Sequence, residues 1–181
     1  MNRAVQGCLM TLLLLLLCAG AWAEPLQAGE WVYPDTPDAP VLFVSQDGAV
    51  LFEAHRYALR TDEPFCWLEP EDEALPALRC RIDDETILLY RQDVYARHPK
   101  DQGSGLPGAW LSTTGGGVFI LGGDGLFMED GLFTGTYTVD EAAQSFRLHY
   151  HEDFADTVCY YTLGEDRLTI EYPWKLIHKP E

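Results

Sequence analysis

Apolar and polar residues alternate along short runs of this chain, and turn residues separate the runs. The clearest run is Phe146, Leu148 and Tyr150, with Arg147, His149 and His151 between them. Successive side chains on a strand point to opposite faces, so this spacing predicts a half-buried β-strand. Val41–Ser45 and Ala49–Ala54 flank Gln46-Asp47-Gly48, a hairpin signal. Phe65–Leu68 and Ala77–Ile82 flank an acidic loop, and the turn at Asp83-Asp84-Glu85-Thr86 leads into Thr86–Arg91 and Val94–His98. The same rhythm predicts strands over Val118–Leu121, Leu126–Met128, Gly135–Val139, Ser145–His151, Thr157–Leu163, Arg167–Tyr172 and Lys175–Lys179. No run after residue 23 carries the helical period. Evenly spaced short strands joined by tight turns predict an all-β antiparallel meander, closed or nearly closed into small barrels.

The pattern is written twice. Gly29-Glu30-Trp31 returns as Gly108-Ala109-Trp110, Asp47-Gly48 as Asp124-Gly125, and Tyr57 as Tyr137. Phe65 returns as Phe146, Cys80 as Cys159, and the closing stretch Thr86–Pro99 as Arg167–Pro180. The shared order and an offset of about 80 residues predict two tandem modules, over 24–99 and 108–181. Residues 100–107, Lys-Asp-Gln-Gly-Ser-Gly-Leu-Pro, read as the linker. Each unit is close to the smallest size that sustains its own core, so the modules are expected to need each other or a disulfide.

Residues 1–23 are expected to be a secretory signal peptide. Arg3 begins it, Leu9–Cys18 is almost wholly apolar, and Ala21-Trp22-Ala23 is a small-x-small cleavage site before Glu24. The apolar run is short for a spanning helix, and a retained anchor is the alternative. Leu17 stands where lipoprotein signals need a small residue, which argues against lipid attachment at Cys18. The expected product is a soluble periplasmic or secreted chain with no membrane span. Loss of Arg3 would take the net charge from −17 to −18. That charge disfavours nucleic acid and anionic membranes and attracts cationic partners. Cys66, Cys80 and Cys159 would remain. In an oxidising compartment Cys66–Cys80 is the expected disulfide, with Cys159 left over. The alternative is that Cys80 and Cys159, at equivalent positions, are small buried hydrophobes.

The second unit resembles the small lipocalin-like domains of exported bacterial proteins. The features that carry the resemblance are Gly108-Ala109-Trp110, the hairpin at Asp124-Gly125, Gly135-Thr136-Tyr137-Thr138-Val139, the strand Leu168-Thr169-Ile170, and a short final basic strand. The first unit keeps Gly29-Glu30-Trp31 but lacks Gly-Thr before Tyr57. In larger lipocalins the opening Trp packs on a basic residue from near the end of the barrel. The resemblance therefore implies that Trp31 stacks on Arg97, and that Trp110 meets His178 or Lys179, as a structural cation–π plug.

Candidate chemistry is sparse. His149 and His151 are two apart on an expected strand, so both would leave one face and could share zinc or copper, with Glu152 or Asp153 nearby. The competing reading is a solvated outer face. Glu69, Glu71, Asp72 and Glu73 form a dense acidic loop, read as a docking arm for a cationic protein, a loose calcium site or a solubilising loop. Gly115-Gly116-Gly117 and Gly122-Gly123-Asp124-Gly125 lack the Lys-Ser/Thr of a phosphate loop and read as turns. Aromatics such as Phe43, Phe65, Phe119, Phe127 and Tyr150 would either fill the barrels or line a ligand cup. No nucleophile, metalloprotease or paired-carboxylate motif appears, so the expectation is a non-enzymatic binding protein without a cofactor. Its ligand would be a small apolar molecule or a protein surface. The alternatives are an inhibitor or docking factor for a cationic envelope enzyme, such as a lysozyme or protease, and a metal-binding module.

Overall fold

The computed structural model describes residues 26–62, 65–83 and 85–179; the expected signal peptide lies outside them. Fourteen antiparallel strands form one sheet, with no helix among the described residues. The first repeat supplies β1 (Gly29–Val32), β2 (Pro40–Val44), β3 (Val50–Phe52), β4 (His55–Asp62), β5 (Phe65–Pro70), β6 (Leu78–Asp83) and β7 (Thr86–Arg97). The second supplies β8 (Gly108–Ser112), β9 (Val118–Leu121), β10 (Leu126–Glu129), β11 (Phe133–Asp140), β12 (Ser145–Tyr150), β13 (Thr157–Leu163) and β14 (Arg167–His178). Each strand pairs with its sequence neighbours, and β14 closes the sheet on β1.

One further ladder, β7 with β14, crosses this closed sheet and pinches it into two rings. Thr86–Leu89 of β7 lie against β6, and Tyr95–Arg97 lie against β8. Strand β14 leaves β13 at Glu171 and reaches β1 at Ile177. Pro173 falls between these points, where β14 has β7 as its paired neighbour; a strand proline is tolerated where one side of the ladder is open. Each long strand thus begins in one ring and ends in the other. The sequence divides each of them into two strands, and the structure runs them as one, because the partner long strand supplies a continuous ladder across the break.

The side chains follow the exchange. Trp31, Leu42, Phe52, Leu68 and Leu89 fill the first ring, and Leu176 from the far end of the chain joins them. Trp110, Phe119, Phe146, Leu148 and Ile170 fill the second, joined by Tyr95 from the first repeat. Arg79 of β6 joins the two rings. Its guanidinium lies 4.1 Å from the Tyr160 ring centre and 4.7 Å from that of Phe65, and its Nε donates to Glu171 at 2.7 Å. Both partners of this ion pair are largely buried, where such pairs are screened least.

The exchange also corrects the expected tryptophan contacts. Arg97 stacks on Trp110, 4.1 Å from its ring centre, not on Trp31. Trp31 instead meets His178 edge-on at 5.3 Å. The basic end of each repeat closes the other repeat's ring, so the partners are swapped. Both opening glycines are required by this packing. Gly29 has φ +141°, and a Cβ there would collide with the His178 ring; at Gly108 it would collide with Arg97 and Asp101. Residues 100–107, read as a linker, are wrapped on Arg97, which donates to the carbonyls of Gly105 at 2.5 Å and Pro107 at 3.3 Å.

Leu176→Ala is expected to cost about 2–5 kcal/mol, the usual range for a buried leucine. Amide exchange should accelerate in β1 and β2 more than in β8 and β9, although Leu176 belongs to the second repeat.

Candidate functional site

The two repeats can be compared rung by rung along their ladders. Trp31 faces Leu42, which faces Phe52; Trp110 faces Phe119, which faces Glu129. Glu129 therefore occupies the place of Phe52. Cys66 faces Cys80 and Leu68 faces Leu78; Phe146 faces Cys159 and Leu148 faces Thr157. Thr157 therefore occupies the place of Leu78, and the counterpart of Phe146 is Cys66 rather than Phe65. The same ladders set Tyr57 against Val50 and Gly135 against Phe127, so Tyr57 matches Gly135 and not Tyr137. Phe52 and Leu78 are buried in the core of the first ring. At both positions the second ring is polar.

A pocket of about 330 Å³ opens there. Glu129 of β10 and Thr157 of β13 line it, with Asp93 of β7, Tyr150 of β12, and Tyr172 and Trp174 of β14. Strands β7, β10, β12, β13 and β14 each contribute a residue. Burial pushes the Glu129 carboxyl above the usual glutamate range, and the neighbouring Asp130 adds to the effect. Asp93 stands at the water-facing edge; partial desolvation raises its carboxyl, and Arg91 opposes the rise. Burial raises the Tyr172 phenol well above its ordinary value, with the Glu129 charge contributing next, and pushes Tyr150 up to about 12. The Tyr172 hydroxyl lies near Tyr95 and Glu129, yet it is buried and makes no hydrogen bond of ordinary geometry. A buried hydroxyl without a partner costs about 1–3 kcal/mol.

The residues singled out in the sequence are dispersed. His149 bonds Asp156 at 2.8 Å, whereas the His151 ring lies 3.3 Å from the Thr134 hydroxyl. Strand β12 ends at Tyr150, so His151 has left the expected strand face for a bend. Among the described residues no group of three or more His, Cys, Asp or Glu is placed to hold a metal ion. Of the expected acidic loop, Glu69 lies on β5 and pairs with Arg60 at 2.5 Å, whereas Asp72 caps the turn that follows through the Ala74 N–H, and Glu71 and Glu73 are exposed. Cys66 and Cys80 are buried, unlinked and directly opposite one another. Burial raises both thiols, and Cys159, buried in the second ring, is raised for the same reason. Among the candidate aromatics, Phe119 and Phe127 are core, Phe65 is half-buried against Tyr160, Phe43 is exposed, and Tyr150 lines the pocket. Asp93, Glu129, Thr157, Tyr172 and Trp174 were not legible as site residues. For Glu129 and Thr157 the signal is a polar-for-apolar exchange between repeats, visible once the ladder register is known.

No protein-family model, curated protein or solved structure matches this chain.

The raised Glu129 carboxyl gives a signed expectation. The folded chain holds this proton more tightly than the unfolded chain does. Ionised Glu129 is therefore a cost absent below the unfolded glutamate pKa and complete once pH has risen through the folded value. Glu129→Gln should raise Tm at pH 7 by a few degrees, and the gain should vanish as pH falls below the ordinary glutamate range. Thermal melts across that range measure it.

Proposed function

We propose that this chain is an exported, non-enzymatic binding protein of two lipocalin-like modules, and that its ligand enters the pocket of the second ring. One observation carries the reading. The first ring holds Phe52 and Leu78 in its apolar core, whereas the corresponding rungs of the second ring, Glu129 and Thr157, line a pocket together with Tyr172, whose hydroxyl is buried without a hydrogen bond. Burying such groups lowers stability, and that cost is commonly kept where it serves binding. The pocket volume is within the range of small-molecule sites.

Native mass spectrometry of the chain purified from its own envelope fraction tests this. A small-molecule adduct is expected on the parent and lost in Thr157→Phe, which fills the pocket from the half-buried start of β13. An adduct retained by Thr157→Phe would place the ligand elsewhere, and no adduct on the parent would count against a carrier.

Export also bears on the cysteines. Directly opposed residues of an antiparallel pair lie within the Cα separation that a disulfide spans. In an oxidising compartment Cys66 and Cys80 link, and the intact mass falls by two hydrogens. Cys80→Ser should abolish that loss and Cys159→Ser should leave it.

A second reading, docking to a cationic envelope enzyme, draws on the exposure of Glu71, Asp72 and Glu73 at the β5–β6 loop. It requires affinity that falls steeply with salt and on neutralising these three residues.

A further inference from the structure

We propose that the pocket of the second ring selects an organic cation carried on an apolar chain, a primary or quaternary ammonium; this rests on the reading that the pocket is a binding site.

The charge balance of the pocket is the first ground. Two carboxylates, Asp93 and Glu129, line it, and no Lys or Arg does. The nearest cation on the same strand, Arg91, is shared: it pairs with Glu53 at 3.0 Å, lies 5.5 Å from the ring centre of the lining Trp174 and offsets only part of the charge at Asp93. Asp130 lies beside Glu129 and adds negative charge. A cation seated between Asp93 and Glu129 would offset charge that the fold itself leaves unbalanced.

The second ground is how the chain uses aromatic faces elsewhere. Arg79 lies over Phe65, Trp67 and Tyr160 and pairs with Glu171. Arg97 lies over Trp110 and pairs with Asp101. In both places an aromatic wall and a carboxylate hold an internal guanidinium. The pocket repeats the wall and the carboxylates with Tyr150, Tyr172, Asp93 and Glu129; Arg91 lies over Trp174, and among the described residues no guanidinium lies over either tyrosine. Cation–π attraction is strongest where water is displaced, as it would be from these faces by a bound apolar chain.

The third ground is the rim. Phe154 and Phe133 are exposed, and their rings pack on Tyr150 at 5.7 and 6.4 Å. Leu132, beside them, is the most exposed large hydrophobic residue described. Apolar surface therefore continues outward from a wall of the pocket, where an alkyl or aryl chain would lie once the cationic head is seated. A metal ion fits less well: the lining offers two carboxylates, fewer oxygen ligands than a hard cation takes, and aromatic faces that do not ligate one.

The test compares probes of one chain length and different charge. Octylammonium and octyltrimethylammonium are titrated into the full mature chain, beside octanol and octanoate, following Trp fluorescence and heat. The cations are expected to bind at least about tenfold more tightly than octanol, equal to about 1.4 kcal/mol, with octanoate weaker still. Asp93→Asn and Glu129→Gln should each remove most of that preference and leave octanol unchanged. Tyr172→Phe should keep the preference, because the charges remain. Thr157→Phe should abolish binding of all four probes. Equal affinity for octanol and octylammonium, or a preference that survives both neutralisations, would overturn the cation assignment while leaving the pocket a binding site. Binding of none of the four, with no adduct on the envelope-purified chain, would overturn both.

Discussion

The antiparallel ladder between β7 and β14 is the constraint on which the rest of this structure depends. It joins the last strand of each repeat to the last strand of the other, the self-complementary arrangement of a twofold dimer within one chain. Neither ring closes without it, because each takes half of a long strand from the other repeat. A small all-β unit has difficulty burying enough surface to fold alone, and sharing strands enlarges the cooperative unit. The buried Arg79–Glu171 pair and the aromatic faces around it reinforce the same seam. Loss of either ring's core should therefore be felt in both.

Duplication frees one copy to change. The first ring keeps apolar side chains at Phe52 and Leu78 within its core. The second places Glu129 and Thr157 on the corresponding rungs and has a pocket beside the crossing of the long strands. The long strands bring Asp93, Tyr172 and Trp174 to that place, so the site is made jointly by both repeats. A cleft where structural units meet is a common location for a ligand. The cost is visible in a raised carboxyl at Glu129 and an unpartnered phenol at Tyr172.

Arginine on an aromatic face recurs through the molecule, at Arg79, Arg91 and Arg97. Guanidinium groups suit this role because they are planar, weakly hydrated and permanently charged. Arg97 uses its two terminal nitrogens to gather residues 100–107 over Trp110. A stretch that reads as a loose linker by composition is thereby an ordered part of the second ring, with Leu106 buried and its carbonyl accepting from the Trp110 indole.

The sequence by itself determined the strand content, the turns and the duplication, because period-two alternation and turn residues are local signals. Val118–Leu121 and Thr157–Leu163 match strands of the structure residue for residue. It did not reveal β4, where Tyr57 is the one buried residue in a polar run and pairing with β3 and β5 makes the strand. It also implied the wrong partners for Trp31 and Trp110, since the resemblance treats each module as closing on itself. Only the tertiary structure decided that the long strands cross between rings, because strand exchange leaves every local pattern unchanged. The pocket was hidden for the same reason. Asp93, Glu129, Thr157 and Tyr172 are far apart in sequence and individually ordinary, and the ladder register alone brings their side chains together.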